Sequence, residues 1–126
     1  MRHDSKKLTD LERDVLKLFA HHSDFSISPN FVSDLESIEC ERKLTGVGFL
    51  TEFQKNIIPL KATSLQSSAI WDRLSAVLNN ETLVGFLVYV EDGNVSAIEG
   101  FTYGEKWPRE LNNVKFEIAS EPKVNS

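Results

Sequence analysis

Hydrophobic and polar positions alternate along this chain with two different periods, and the change between them divides it. Leu8, Leu11, Val15, Leu18 and Phe19 recur at helical spacing, with Glu12, Arg13, Asp14 and Lys17 on the other side, which predicts a helix from 10 to about 21. Thr9-Asp10-Leu11-Glu12 fits a capping box ahead of it, in which Thr9 bonds the amide of Glu12 and the Glu12 carboxylate reaches back. His21 and His22 fall in the last turn, where a cation meets the negative end of the helix dipole. Ser28-Pro29 opens a second, shorter helix over 29–35, because proline is well tolerated at the first helical position.

From Ile38 the period is two. Ile38, Cys40, Arg42 and Leu44 alternate with Glu39, Glu41 and Lys43, a half-buried strand with a charged outer face. Val47, Phe49, Thr51 and Phe53 form a second strand, reached through a bend or bulge at Thr45-Gly46-Val47-Gly48. Pro59 interrupts Ile57-Ile58-Pro59-Leu60, so a strand there is short or lies at an edge. Segment 69–78 fits a helix through Ile70, Leu74, Val77 and Leu78 and a strand through Ile70, Leu74, Ala76 and Leu78; the strand is preferred. Leu83 to Val90 is an apolar run of strand length and reads as a central strand buried on both faces. Asp92-Gly93 suits a tight hairpin turn, and Val95 to Tyr103 is the return strand. Gly104 to Pro108 ends it, Val114, Phe116 and Ile118 mark a last strand, and Ser120–Ser126 is expected to fray. The expected fold class is α+β: an antiparallel β-sheet of about five to seven strands with one or two N-terminal helices packed on it.

Composition narrows the function more than the fold. The 126 residues suit one domain over 1–126, and 40% hydrophobic with 26% charged residues is ordinary for a folded globular protein. The formal net charge is −5, and it is concentrated: residues 21–104 carry eleven acids against five bases. That surplus argues against a general nucleic-acid binder and against a polybasic membrane binder. It steers a basic partner on, or else simply keeps the protein in solution. One Cys allows no intrachain disulfide and no four-thiolate zinc site. The opening MRHDSKKLTDLERD is too polar for a signal peptide, and no apolar run approaches membrane-spanning length, so a cytoplasmic location is expected.

Catalytic motifs are missing. His3, His21 and His22 are the whole imidazole supply, and adjacent histidines on a helix point apart rather than at one metal ion. Cys40 takes an apolar-facing strand position, the usual place of a small buried hydrophobe. Gly46-Val47-Gly48 lacks the third glycine of a dinucleotide fingerprint and enters a strand instead of a helix. No metal, cofactor or catalytic residue is therefore expected. Glu99 is the one oddly placed acid. With a two-residue turn, Phe86 pairs with Glu99, Val88 with Ala97 and Val84 with Phe101, which sets Glu99 on an apolar face. A carboxylate there needs a buried Arg or backbone donors, or else it sits at a rim and serves binding. Trp71, Tyr103 and Trp107 are the aromatic anchors to watch, with Trp71 the more suited to ordinary core packing.

The string Val84-Gly85-Phe86-Leu87-Val88-Tyr89-Val90-Glu91-Asp92-Gly93-Asn94 continues into Ile98-Glu99-Gly100-Phe101-Thr102-Tyr103-Gly104-Glu105 and Trp107-Pro108. Together with Arg42-Lys43-Leu44-Thr45-Gly46-Val47-Gly48-Phe49, it resembles a group of small single-domain bacterial proteins. Proteins of this size and type are similar to the immunity proteins encoded beside contact-dependent growth inhibition toxins. The resemblance covers 38–53 and 83–108, and its hairpin is a signature of fold that carries over no catalytic residue. It implies a non-enzymatic protein that binds a cognate toxin domain, such as a basic nuclease, and blocks its active site. Glu39, Glu41, Asp72, Glu99 and Glu105 are the candidate charges for that contact, with Tyr103 and Trp107 as anchors. The other expectation is a small ligand-binding domain or enzyme using a carboxylate in a sheet-lined pocket. Self-association is expected to stop at a monomer or weak dimer.

Overall fold

The alternating segments pair edge to edge into one sheet, and the helix lies across it. The computed structural model describes residues 6–22, 26–27, 35, 38–53, 60–61, 69–91 and 94–119. Its elements are β1 (Lys6–Lys7), α1 (Asp10–His22), β2 (Ser26–Ile27), β3 (Glu39–Leu44), β4 (Gly48–Phe53), β5 (Leu60–Lys61), β6 (Ala69–Leu78), β7 (Thr82–Glu91), β8 (Asn94–Thr102) and β9 (Val114–Ile118). Seven strands form an antiparallel sheet in the order β1-β3-β4-β8-β7-β6-β9, and β2 pairs separately with β5. The α+β class follows. Segment 69–78 is a strand. The second helix over 29–35 lies outside the described residues except for Leu35, which is buried. Ile57 to Pro59, the Asp92-Gly93 turn and the tail 120–126 also lie outside them.

Glycine and phenylalanine set the centre of the sheet. Three Gly-Phe dipeptides, Gly48-Phe49, Gly85-Phe86 and Gly100-Phe101, stand side by side on β4, β7 and β8. On the core face Gly100 lies between Phe49 and Phe86; on the other face Phe101 lies between Gly48 and Gly85. A Cβ on Gly100 would stand 2.4 Å from the Phe49 ring, so only glycine lets that ring lie flat across the strand. Phe49 in turn carries Trp107 edge-on, with ring centroids 5.3 Å apart.

α1 covers one face. Leu11, Val15, Leu16 and Phe19 bury against Leu74, Ala76, Val84, Phe86, Val88 and Ile98 in a single core. The capping box forms as expected: Glu12 N donates to Thr9 Oγ1 at 3.1 Å, and Thr9 N donates to Glu12 Oε1 at 2.8 Å. Glu12 does not lie on the polar side of the helix, however. Its side chain is 1% exposed and points at the sheet, where Arg42 Nε donates to Oε2 at 2.7 Å and Arg42 Nη2 to Oε1. Thr51 Oγ1 also donates to Oε2. The helical wheel missed this because it treats charge as outward-facing, whereas a bidentate Arg and a hydroxyl neutralise and solvate the carboxylate from within. The Glu12 hydrogen bond raises the guanidinium of Arg42 above its already high range. One carboxylate thus caps the helix and ties it to β3 and β4.

β7 is central but not buried on both faces. Val84, Phe86, Val88 and Val90 face the core, whereas Leu83 is 50% exposed and Leu87 and Tyr89 are half-buried on the opposite side. A continuous apolar run signals two covered faces only where a second layer exists. The turn into β7 uses Asn79 and Asn80 with φ of 54° and 62°, the left-handed pair of a tight hairpin, and Glu81 N closes it on Leu78 O. The Asn79 side chain then holds the loop before β9, donating to Glu110 O and accepting from Asn112 N.

Replacing Gly100 with Ala should cost about 1–3 kcal/mol, because the buried Phe49 ring must leave its packing against Trp107 to admit the methyl group. Gly85→Ala should cost less, since the Phe101 ring it would meet lies on the open face. Urea denaturation of both variants checks the ordering; equal costs would contradict it.

Candidate functional site

Side-chain alternation places one set of residues on the uncovered face, and the strand registers arrange them in rows. Lys43, Leu50, Glu99 and Leu87 lie across one row, and Glu41, Glu52, Ala97, Tyr89 and Ile70 across the next. A third row holds Gly48, Phe101, Gly85, Ser75 and Glu117. The large apolar side chains of this face are partly open to solvent: Leu50, Leu87 and Phe101 are half-buried, Ile70 is 58% exposed, and Tyr103, just beyond β8, is 65% exposed. Tyr103 folds back over the face, its ring 5.5 Å from Phe101 and its hydroxyl above Gly85.

Acids border this strip on the β3 and β4 side. Glu41 and Glu52 stand directly opposite each other, an arrangement that opposes sheet pairing and that Lys43 relieves at 3.3 Å from Glu52. Glu39 continues the border along β3. Carboxylates that repel within the protein retain unspent attraction for cations outside it.

Glu99 belongs to this face and not to the core. Val90 pairs with Val95 and Tyr89 with Ala97, so Ser96 is an extra residue, and the shift sets Glu99 opposite Leu87 rather than Phe86. The expected pairs of Val84 with Phe101 and Val88 with Ala97 slip likewise, to Thr102 and Ile98. A bulge of one residue turns every following side chain to the other face, which removes the problem of a buried carboxylate. Glu99 instead accepts a hydrogen bond from Tyr89 Oη at 2.6 Å. That bond, with desolvation and the carboxylate charge behind it, raises the Tyr89 hydroxyl to about 12. The buried Arg sought for Glu99 serves Glu12.

Of the residues singled out in the sequence, Glu39, Glu41, Glu99 and Tyr103 therefore share the open face. Asp72 is exposed where the β6 register shifts, and it lines a cavity of about 390 Å³ on that face with Gly85, Phe101 and Tyr103. Glu105 is exposed in the loop after β8, and its carbonyl accepts from Thr102 Oγ1. Trp107 lies on the other side of the sheet. It walls a cleft of about 400 Å³ with Leu11, Phe49 and Leu111, beside the start of α1. Trp71 is buried edge-on to Phe19. Sequence reasoning missed Glu52, Leu50, Leu87 and Ile70. The period of two around Thr51 already puts Leu50 and Glu52 opposite the core, but it sets Ile70 on the face of Leu74; the register shift between Trp71 and Leu74 is what turns Ile70 outward and Trp71 inward.

Among the described residues no group of three or more His, Cys, Asp or Glu side chains is placed to hold a metal ion, and no helix is long and apolar enough to cross a membrane. Cys40 is buried and unbridged. Glu99 lines neither cavity. No family model matches the chain, and no curated protein or solved structure is significantly similar to it.

Folding should weaken as pH rises from 10 towards 12, because an unfolded Tyr89 ionises near 10 while the folded one holds its proton to about 12. Spectrophotometric titration in a Tyr103→Phe background isolates Tyr89. Glu99→Gln should bring its midpoint down; an unchanged midpoint would show that the carboxylate does not hold it.

Proposed function

We propose that this protein is an immunity-type inhibitor that binds the catalytic domain of a protein toxin and covers a basic active site with its open sheet face. The observation that carries the reading is that face: exposed Ile70 and Tyr103 with half-buried Leu50, Leu87 and Phe101, Glu99 among them, and Glu39, Glu41 and Glu52 along the β3 and β4 side. Aromatic and aliphatic anchors at the centre of a contact supply the desolvated area, and the acids set orientation and association rate. Carboxylates spaced along strands can occupy the cationic positions where a nuclease holds its phosphates. The resemblance of 38–53 and 83–108 to a group of small single-domain bacterial proteins, whose size and type are similar to those of contact-dependent growth inhibition immunity proteins, points the same way. A cytoplasmic location follows from this reading, because protection is needed where the toxin's target lies.

Calorimetric titration against the C-terminal domain of a large secreted protein encoded immediately upstream tests the proposal. Nanomolar binding that weakens with added salt is expected, and Glu39→Lys, Glu41→Lys and Glu52→Lys together should weaken it by about a hundredfold or more. Affinity unchanged by the three reversals would overturn the electrostatic reading, and no binding would overturn the immunity reading.

A second reading, a small-ligand domain, is favoured by the cleft beside Trp107. Leu11, Leu44, Phe49, Trp107 and Leu111 line it together with Asp10, Glu12, Asp14 and Arg42, and its volume of about 400 Å³ suits a small amphipathic molecule, whose entry would quench or shift Trp107 fluorescence.

A further inference from the structure

Among the described residues the last strand has a partner on one side only: β9 pairs with β6, and no strand runs along its other edge. Asn113 O accepts from Asn79 N at 2.7 Å, and Ala119 N donates to Arg73 O at 2.8 Å, so residues 113 and 119 direct their backbone groups at β6. Alternation along a strand sends those of Lys115 and Glu117 the same way and turns the N–H and C=O groups of Val114, Phe116 and Ile118 to the open edge. The side chains of these three are only half-buried, although they pack against the core, with the Phe116 ring 6.0 Å from Phe86. Lys115 and Glu117 stand exposed on the opposite face.

We propose that β9 pairs antiparallel with β9 of a second copy about a two-fold axis through Phe116, joining the two seven-stranded sheets into one. The register follows from the sequence of the strand. Phe116 opposite Phe116 of the second copy brings outward-facing backbone groups together there and at each Val114–Ile118 pair, about six hydrogen bonds in all. A shift of one residue would set outward groups against inward ones. A shift of two would set Lys115 opposite its own copy, or Glu117 opposite its own copy, and like charges directly opposed weaken pairing. Centred on Phe116, each Lys115 faces the other copy's Glu117, in the closely approaching, non-hydrogen-bonded position of the ladder. The apolar residues that one protomer leaves half-covered meet across the axis on the core side, Phe116 against Phe116 and Val114 against Ile118. A lysine on an edge strand ordinarily blocks such pairing; here the glutamate two residues on makes the edge complementary to itself.

The contact lies at the sheet edge remote from β3 and β4, so it is independent of the partner-binding reading. Sedimentation equilibrium of the full chain from low to high micromolar concentration is the test. The parent protein should show a concentration-dependent dimer. Lys115→Glu and Glu117→Lys, both at exposed positions, should each weaken it at least about tenfold, with unchanged circular dichroism. An equimolar mixture of the two single variants should dimerise, because each then supplies the charge the other lacks, and the double exchange K115E/E117K should dimerise as the parent does. A parent protein that stays monomeric throughout would overturn the proposal. So would single variants that dimerise like the parent, or a mixture that does not associate.

Discussion

The close approach of Phe49 to Gly100 is the contact on which the rest of the sheet depends. It requires a strand position with no Cβ beneath the ring, and the Gly-Phe pairs of β4, β7 and β8 meet that requirement on both faces. A one-residue slip of β4 against β8 would set Phe49 opposite Phe101 in one direction and Gly48 opposite Gly100 in the other. Pairing register is decided in this way by shape, and register decides which side chains see water. Glu99 shows the consequence. With Gly100 held between Phe49 and Phe86, its neighbour must face outward, and Ser96 is accommodated as the extra residue that makes the hairpin fit.

The second constraint is how little helix there is to cover so wide a sheet. α1 spans thirteen residues and lies over the central strands, with one buried carboxylate reaching β3 and β4. Removing either member of a buried ion pair typically destabilises by about 3–5 kcal/mol, since the other is left charged and unpaired. Arg42 and Thr51 therefore specify where the helix sits as well as holding it. The same arrangement leaves the far face of the sheet to solvent, with aromatic and aliphatic groups at its middle and acids along one side. A face of that composition is suited to a partner of opposite charge, and among the described residues no strand pairs with the outer edge of β9.

Much of this was legible in the chain. Strand positions followed from the period of two, the capping box from Thr9 and Glu12, and the strand character of 69–78 from Ala76 and Leu78. Three features were not. Glu12 reads as a surface residue because its partners, Arg42 and Thr51, lie far along the chain, and no local pattern reports such a contact. The slip at Ser96 has no periodic signature; only the need to keep Gly100 beneath Phe49 reveals it, and that is a tertiary fact. The apolar run of β7 looks the same whether its second face meets a helix, water or a partner. Glu39, Glu41, Glu99 and Tyr103 were recognisable as candidates one by one. That they share a face with Glu52 and Leu87, and that Trp107 does not, depends on strand order, which sequence spacing does not encode.

Amide chemical-shift mapping of the isotope-labelled protein, titrated with the C-terminal domain of a large secreted protein encoded immediately upstream, tests the proposed toxin contact most directly. Shifts gathered on β3, β4, β7 and β8 around Glu41, Glu52, Glu99 and Tyr103 are the predicted result. Shifts gathered instead on α1 and around Trp107, with the open face unmoved, would contradict the account.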